Sequence, residues 1–359
     1  MKILYDYQIL IMQKYGGISR YFYELAVRIK ERGEEPEVRT LFSKNSYFQN
    51  YFKIKRISPD QKYKIPGLIR ICHAVILLQP ARKYDIIHPT YYDTYLIGKF
   101  KGKLVITVHD MIHEKYIQHD RETIKRKREY IYKSDKIIAI SECTKKDILQ
   151  YYPDIPEDKI RVIYQASDII RKKTALNFLP SKYILYVGNR EGYKNFIRFV
   201  YAVRPLVLED TQLQVVCAGG GAFQDDEMQL LKDLKMDKRF LQYSYTEKEL
   251  FTIYSTAALF VFPSLYEGFG IPLLESMQSG CPVVCSNTSC FPEIAGDAAL
   301  YFHPEDIQDM TRNIKEVYCN ASLKKELVKK GKIRMQMFSW DRTAQETQRL
   351  YKDCLEMKK

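Results

Sequence analysis

One stretch of this chain leaves little freedom in how it folds. Ala257-Ala258-Leu259-Phe260-Val261-Phe262-Pro263 is an apolar run that stops at a proline, which reads as a buried strand. Ser264-Leu265-Tyr266-Glu267-Gly268-Phe269-Gly270 follows as a turn whose glycines let backbone N–H groups face a ligand without Cβ hindrance. Ile271-Pro272 then opens a helix, with proline in the first turn where it is tolerated. Strand, glycine turn and helix in that order form the repeating unit of an α/β sheet. Glu267 and Glu275 sit on the turn and the first helical turns, where both look into the crevice above the strand ends. The plainer alternative is a loop glutamate and a helix-start glutamate that merely suits the dipole.

The same rhythm runs through both halves. In the first half, strands are expected at 3–7, 37–42, 84–88, 103–110, 136–141 and 160–164, with helices after Gly16-Gly17 and over 121–133 and 144–152. In the second half, 183–188, 213–218, 239–243, 257–263 and 281–286 read as strands, with helices over 196–208, 247–255 and 340–357. A chain of 359 residues is too long for one ordinary core, so two domains are expected. Their expected bounds are 1–166 and 182–338, joined by a polar linker at 167–181, with 339–359 as a final helix.

Gly16-Gly17, before a helix start, suits the close approach of a phosphate, or else a simple tight turn. Arg190 and Lys194 follow the strand at 183–188 and precede a helix, a place for a diphosphate or for a solvated loop. His88 and His109 stand at or just beyond strand ends, where ligands sit in open α/β sheets. The trio His109, Asp110 and His113 lacks the further ligands that would complete a metal site. No GxGxxG fingerprint and no GK[ST] is present, so neither a dinucleotide site nor a P-loop is supported.

Charge is uneven. The net of +13 divides into 31 Lys and Arg against 21 Asp and Glu over residues 1–170, and 26 against 23 over the remainder. The first half is therefore expected to meet something anionic. Residues 43–83 interleave basic and aromatic side chains and end in an apolar helix candidate at 65–78. That pattern fits a peripheral anionic membrane surface, and equally a core helix preceded by a solvated loop. The basic run Lys125-Arg126-Lys127-Arg128 points the same way. Eight scattered cysteines without a CxxC favour reduced, buried thiols and a cytoplasmic setting.

Taken together, these residues resemble the GT-B glycosyltransferases of family 4. The resemblance is carried by Val187-Gly188-Asn189-Arg190-Glu191-Gly192-Tyr193-Lys194-Asn195-Phe196, by the stretch from Pro263 to Glu275, and by Pro292-Glu293-Ile294-Ala295-Gly296-Asp297-Ala298-Ala299. Gly16-Gly17, Val108-His109-Asp110 and Phe338-Ser339-Trp340 add weaker matches. It implies an α/β fold of two Rossmann-like domains facing across a cleft, the first for the acceptor and the second for the donor, with the last helix crossing back to the first. It implies transfer of a hexose with retention from a nucleotide diphosphate sugar, which serves as co-substrate, with no cofactor and no bound metal. The acceptor would be a glycan or lipid-linked chain in surface polysaccharide assembly. The segment 108–110 and the glutamate-rich motif look most like mannosyltransferases, so GDP-mannose is the expected donor.

Carried over position by position, Glu267 would touch the donor sugar, Glu275 the ribose hydroxyls and Lys194 the diphosphate. Gly268, Phe269 and Gly270 would offer backbone N–H groups to sugar and phosphate. Gly16 and Gly17 would lie near the diphosphate, and His109 near the transferred sugar. The family often has arginine directly after the strand glycine. Here that position is Asn189 and Arg190 follows it, so the resemblance would make Arg190 the second phosphate ligand. Two alternatives remain: a nucleotide-sugar epimerase on the same fold, and a basic nucleic-acid-binding module. The second rests on charge and the aromatic stretch 47–64 alone, with no nucleic-acid motif, so nucleic acid is not an expected partner.

Overall fold

Strands buried on both faces belong to parallel sheets covered by helices. Tyr183–Val187, Leu259–Phe262 and Val283–Ser286 are buried at every position. The computed structural model describes residues 1–40, 43–51 and 84–356. The helix candidate at 65–78, and with it most of the basic segment expected to meet a membrane, lies outside the described residues. No helix among those described is long and apolar enough to cross a membrane. The chain forms two units: Met1–Gln165 together with Ser339–Lys359, and Ala166–Phe338.

In the first unit the strands are β1 (Lys2–Tyr5), β2 (Glu35–Val38), β3 (Ile86–His88), β4 (Lys103–Val108), β5 (Lys136–Ala139) and β6 (Ile160–Val162). They pair in parallel in the order β2-β1-β3-β4-β5-β6. The second strand lies earlier than the expected 37–42 and contains Pro36, which its place at the sheet edge allows.

The helix Trp340–Glu356 packs within this unit against the helix Gly17–Glu31. A buried polar chain fastens it. Tyr351 Oη meets His88 Nδ1 at 2.5 Å and Tyr5 Oη at 3.0 Å, while His88 Nε2 meets Thr107 Oγ1 at 2.9 Å. His88 therefore does not face a ligand as its strand-end position suggested. Both its ring nitrogens are used inside the core.

Burial pushes the pKa of His88 from 6.5 down to about 3, with His109 adding to the drop. The folded protein keeps this imidazole neutral while the unfolded chain protonates it below about pH 6.5. Its contribution to stability is therefore intact above that pH and is lost as pH falls towards 3. At pH 5 the loss is about 2 kcal/mol relative to pH 8. Urea unfolding of the wild type should show this loss, and the pH 8 to pH 5 difference should shrink by about that amount in His88→Gln. An unchanged difference would mean that His88 titrates normally in the folded state.

In the second unit the strands are β7 (Tyr183–Val187), β8 (Gln214–Ala218), β9 (Phe240–Tyr243), β10 (Leu259–Phe262), β11 (Val283–Ser286) and β12 (Ala299–Phe302). Their order is β12-β11-β10-β7-β8-β9, all parallel. Helix Phe196–Glu209 buries Phe199, Val203 and Val207 in one cluster with Val215, Val261 and Ile314. The chain leaves β7 for β8 on one side and returns to β10 on the other. The loops after β7 and β10 thus part at a topological switch point, where open α/β sheets take their ligands.

The polar segment expected as a linker is tied to the second unit. Ile169 N donates to Gln278 Oε1 at 3.1 Å, and Thr174 N donates to Thr252 Oγ1 at 2.8 Å. Its composition reads as loop because side chains, not a strand ladder, receive these hydrogen bonds. The seven described cysteines are free thiols. Burial pushes Cys217 and Cys285 above the ordinary thiol range.

Candidate active site

The site in the second unit is built from the two loops at the switch point. After β7, Asn195 takes the left-handed conformation (φ 60°), which asparagine tolerates better than most residues. Its buried amide donates to Pro263 O at 3.0 Å and Pro304 O at 2.7 Å. Leu265 N donates to Tyr193 O at 2.8 Å, a second tie between the loops. These ties bring Lys194 Nζ to 2.6 Å from Glu267 Oε1, with side-chain exposures of 16% and 12%. Ser264 Oγ donates to the same carboxylate oxygen at 2.8 Å.

A third strand end contributes. Ser289, in the loop after β11, accepts the Glu267 N–H at 3.1 Å and donates to the Glu267 carbonyl oxygen. Thr288 Oγ1 donates to Leu265 O at 3.1 Å. The backbone at Glu267 is therefore clamped while its carboxylate stays partly open. Gly270 follows with φ +85°, a conformation that favours glycine, and caps the helix Ile271–Ser279 with Pro272 in its first turn. Gly268 and Phe269 are buried, and Phe269 packs edge-on against Phe338 with ring centroids 5.9 Å apart.

Glu275 lies in this helix, and Tyr254 Oη donates to its Oε2 at 3.0 Å. Burial first and the Glu275 charge second push the Tyr254 phenol well above its ordinary pKa, so it stays a donor. Tyr245 is raised by the same two causes. Neither tyrosine carries a sequence signal for this role, and nor do Ser264, Ser289 and Asn195. Tyr254, Ser289 and Asn195 act through partners far off in the chain, while Ser264 acts on Glu267 three residues on.

Arg190 departs from expectation. Its Nε donates to both carboxylate oxygens of Glu227, at 2.9 and 3.0 Å, and its Nη2 donates to the carbonyls of Gly221 and Ala222 at 3.1 and 2.8 Å. The guanidinium also lies over the Phe223 ring at 4.8 Å, and only 3% of the side chain is exposed. Glu227 is at the same time the return arm of the capping box of helix Asp225–Asp233. Arg190 thus holds the glycine-rich exit of β8 instead of standing open to a phosphate. Gly220 shows how close that packing is: a Cβ there would lie 2.6 Å from Gly188 O.

The first unit carries the remaining candidates. Gly16 precedes the helix Gly17–Glu31, and its missing side chain leaves room for Gln13, whose Oε1 accepts the Ser19 N–H at 3.2 Å. One of the helix's first N–H groups is therefore already satisfied by the protein. His109, just past β4, is 7% exposed, packs edge-on to the Tyr21 ring and meets Gln165 Nε2 through Nδ1 at 3.3 Å. Its Nε2 is buried with no hydrogen-bond partner among the described residues. Burial pushes its pKa down to about 4 against the opposing carboxylate of Asp110, and the Lys127 ammonium adds to the drop. His109 is thus a neutral imidazole with one nitrogen unused.

Half of the basic run beside it is held in ion pairs. Lys127 is buried against Glu114 at 2.8 Å, and Arg126 pairs with Glu122 at 2.8 Å.

Similarity to known proteins identifies the family of this chain. The family model for group 1 glycosyl transferases matches residues 166–334, and that for glycosyltransferase family 4 matches residues 15–171. The O-antigen chain mannosyltransferase B of Escherichia coli is 27% identical over 369 residues, covering 94% of this chain and 96% of the relative. A serotype-specific mannosyltransferase, WbdA of Escherichia coli, is 28% identical over 264 residues, covering 67% of this chain and 32% of that longer relative. Among solved structures, the sucrose-phosphate synthase of Thermosynechococcus elongatus superposes with a TM-score of 0.78 at 18% identity, covering 98% of each chain. With the two family models taking in both halves, the chain belongs to the GT-B glycosyltransferases of family 4 and is a glycosyltransferase enzyme.

Proposed function

We propose that this enzyme transfers mannose, with retention, from GDP-mannose to a glycan or lipid-linked acceptor in surface polysaccharide assembly. The observation that carries the reading is the Lys194–Glu267 contact at the β7/β10 switch point, beside a glycine turn and a helix N-terminus. An ammonium and a carboxylate held together in this way are suited to opposite ends of a sugar diphosphate. The diphosphate draws Lys194, and the carboxylate of Glu267 is left to the sugar. Glu275, oriented by Tyr254, takes the ribose hydroxyls.

As the anomeric bond breaks, negative charge grows on the diphosphate and positive character on the sugar. Lys194 and the N–H groups at the start of helix Ile271–Ser279 stabilise the first. The Glu267 carboxylate stabilises the second. In this reading the bond from the acceptor oxygen to the anomeric carbon forms on the face that the phosphate oxygen leaves. The acceptor hydroxyl proton passes to that phosphate oxygen. Gly16 and Gly17 serve the diphosphate. His109, neutral by burial, offers Nε2 to a sugar hydroxyl without adding a positive charge beside a positive sugar. Mannose is favoured because the two Escherichia coli relatives named above are mannosyltransferases.

Nucleotide release from a panel of nucleotide sugars, in EDTA and with or without a mannose-terminated acceptor, tests the assignment. Turnover of GDP-mannose that depends on acceptor is expected. Nucleotide or altered sugar released equally without acceptor would favour an epimerase, and no turnover with any donor would refute the reading. Glu275→Gln should raise the KM for GDP-mannose about tenfold with kcat within about twofold, since a ground-state contact is weakened. A fall in kcat with unchanged KM would remove Glu275 from donor binding.

A further inference from the structure

The first unit holds a second concave site that the reaction does not use. A solvent-open hollow of about 450 Å³ is lined by Arg128 and Tyr132 of helix Arg121–Lys133 and by Tyr151 at the end of helix Glu142–Tyr151. Tyr152, Asp154 and Glu114 complete its polar lining. We propose that this hollow is a non-catalytic saccharide-binding subsite.

Its walls favour a sugar over other small ligands. Tyr132 and Tyr151 each keep 38% of their surface exposed, with Arg128 over the Tyr132 ring at 5.5 Å and Lys115 Nζ over the Tyr151 ring at 5.9 Å, so ring surface stays accessible beside each cation. Tyr152 is 6% exposed and meets the Tyr132 ring at 6.0 Å and 77°, so the two rings form an angled wall. Tyr152 Oη donates to Glu114 Oε1 at 3.2 Å. The other oxygen of Glu114 accepts from Lys127 Nζ at 2.8 Å, and Lys127 also donates to Asp110 O at 3.1 Å. The floor is therefore fixed and its charge compensated.

One cation and one anion remain, Arg128 and Asp154. Neither has an ion-pair partner among the described residues. A phosphate calls for an excess of cations, which this lining lacks. A wholly apolar ligand would leave phenol, guanidinium and carboxylate groups without partners. A pyranose ring matches both features. Its C–H face packs on tyrosine, while its hydroxyls donate to Asp154 and accept from Arg128. The volume lies in the usual range of small-ligand pockets, roughly 300–1,000 Å³. For an enzyme that extends a glycan, a second contact of this kind raises the affinity for long acceptors. That consequence rests on the function proposed above, whereas the binding itself does not.

The test uses the full chain without donor. Saturation-transfer NMR and calorimetric titration track linear α-mannotriose, with maltotriose and cellotriose as separate arms. Tyr151→Ala should weaken binding of the preferred trisaccharide about tenfold, as expected for the loss of a stacking ring. Asp154→Asn should weaken it about threefold. Both substitutions lie at the surface, and an unchanged thermal midpoint shows that the fold is intact. The subsite is refuted if no trisaccharide binds at millimolar concentration, or if both variants bind as the wild type does. A protein whose trisaccharide binding is weakened by both substitutions but which turns over no nucleotide sugar would keep the subsite and refute the transfer reaction. The reverse outcome would refute the subsite alone.

Discussion

Glu267→Gln is expected to lower kcat about 10²–10³-fold while GDP binds at least as tightly as to the wild type. The two effects have one origin. In the absence of donor the carboxylate holds the Lys194 ammonium at 2.6 Å, so a diphosphate must draw Lys194 away from a fixed anion. Glutamine keeps an acceptor for Lys194 and for Ser264 but removes the negative charge, so the competition weakens and phosphate gains. The sugar loses the carboxylate that offsets its positive character in the transition state, and turnover falls. Folding should change by less than about 1 kcal/mol, because both hydrogen bonds can be remade to an amide oxygen. Steady-state kinetics and GDP calorimetry on one preparation read both numbers. Loss of GDP affinity together with normal kcat would assign Glu267 to the nucleotide and overturn its proposed place at the sugar.

Lys194→Ala is expected to do the opposite to the nucleotide. GDP affinity should fall about 10–100-fold, and kcat/KM about 10³-fold, because the ammonium contributes more as charge builds on the leaving diphosphate. The substitution also leaves Glu267 partly buried with Ser264 as its remaining side-chain donor. A stability loss of about 1–3 kcal/mol is therefore expected, in contrast to Glu267→Gln. The double variant should recover part of that stability, since no unpaired carboxylate remains. Its kinetic losses should fall short of the product of the single losses, because the two groups interact directly. Equal GDP affinity in Lys194→Ala and the wild type would remove Lys194 from the phosphate.

The parts legible from sequence are those with a local cause. The strand–turn–helix passage around Glu267 is written in an apolar run, a glycine turn and a proline at a helix start, all within about twenty residues. Parallel sheets are implied by continuous apolar strands alternating with helical periodicity. The features that stay hidden depend on pairs far apart in the chain. Arg190 looks like a phosphate ligand until Glu227, 37 residues away, takes its guanidinium. His88 has the strand-end position of a ligand, and only the packing of Tyr351 from the last helix shows that it is internal. Ser289 reaches Glu267 across 22 residues, and Asn195 reaches Pro304 across 109. Those spacings carry no period, so no pattern in the sequence marks them. The edge strand differs from expectation for another reason. Pro36 argues against a strand locally, and only the sheet order shows that it lies at an edge.

The central claim is that one enzyme joins mannose to an acceptor with its configuration kept. GDP-mannose carries its sugar in the α configuration, and the anomeric proton–carbon coupling of the product reports the configuration of the new linkage. Incubation of the full chain with GDP-mannose and a mannose-terminated acceptor, and then NMR of the isolated product, is predicted to show a new α-mannoside. A β-linked product would contradict retention, and free altered sugar with no new linkage would contradict transfer itself.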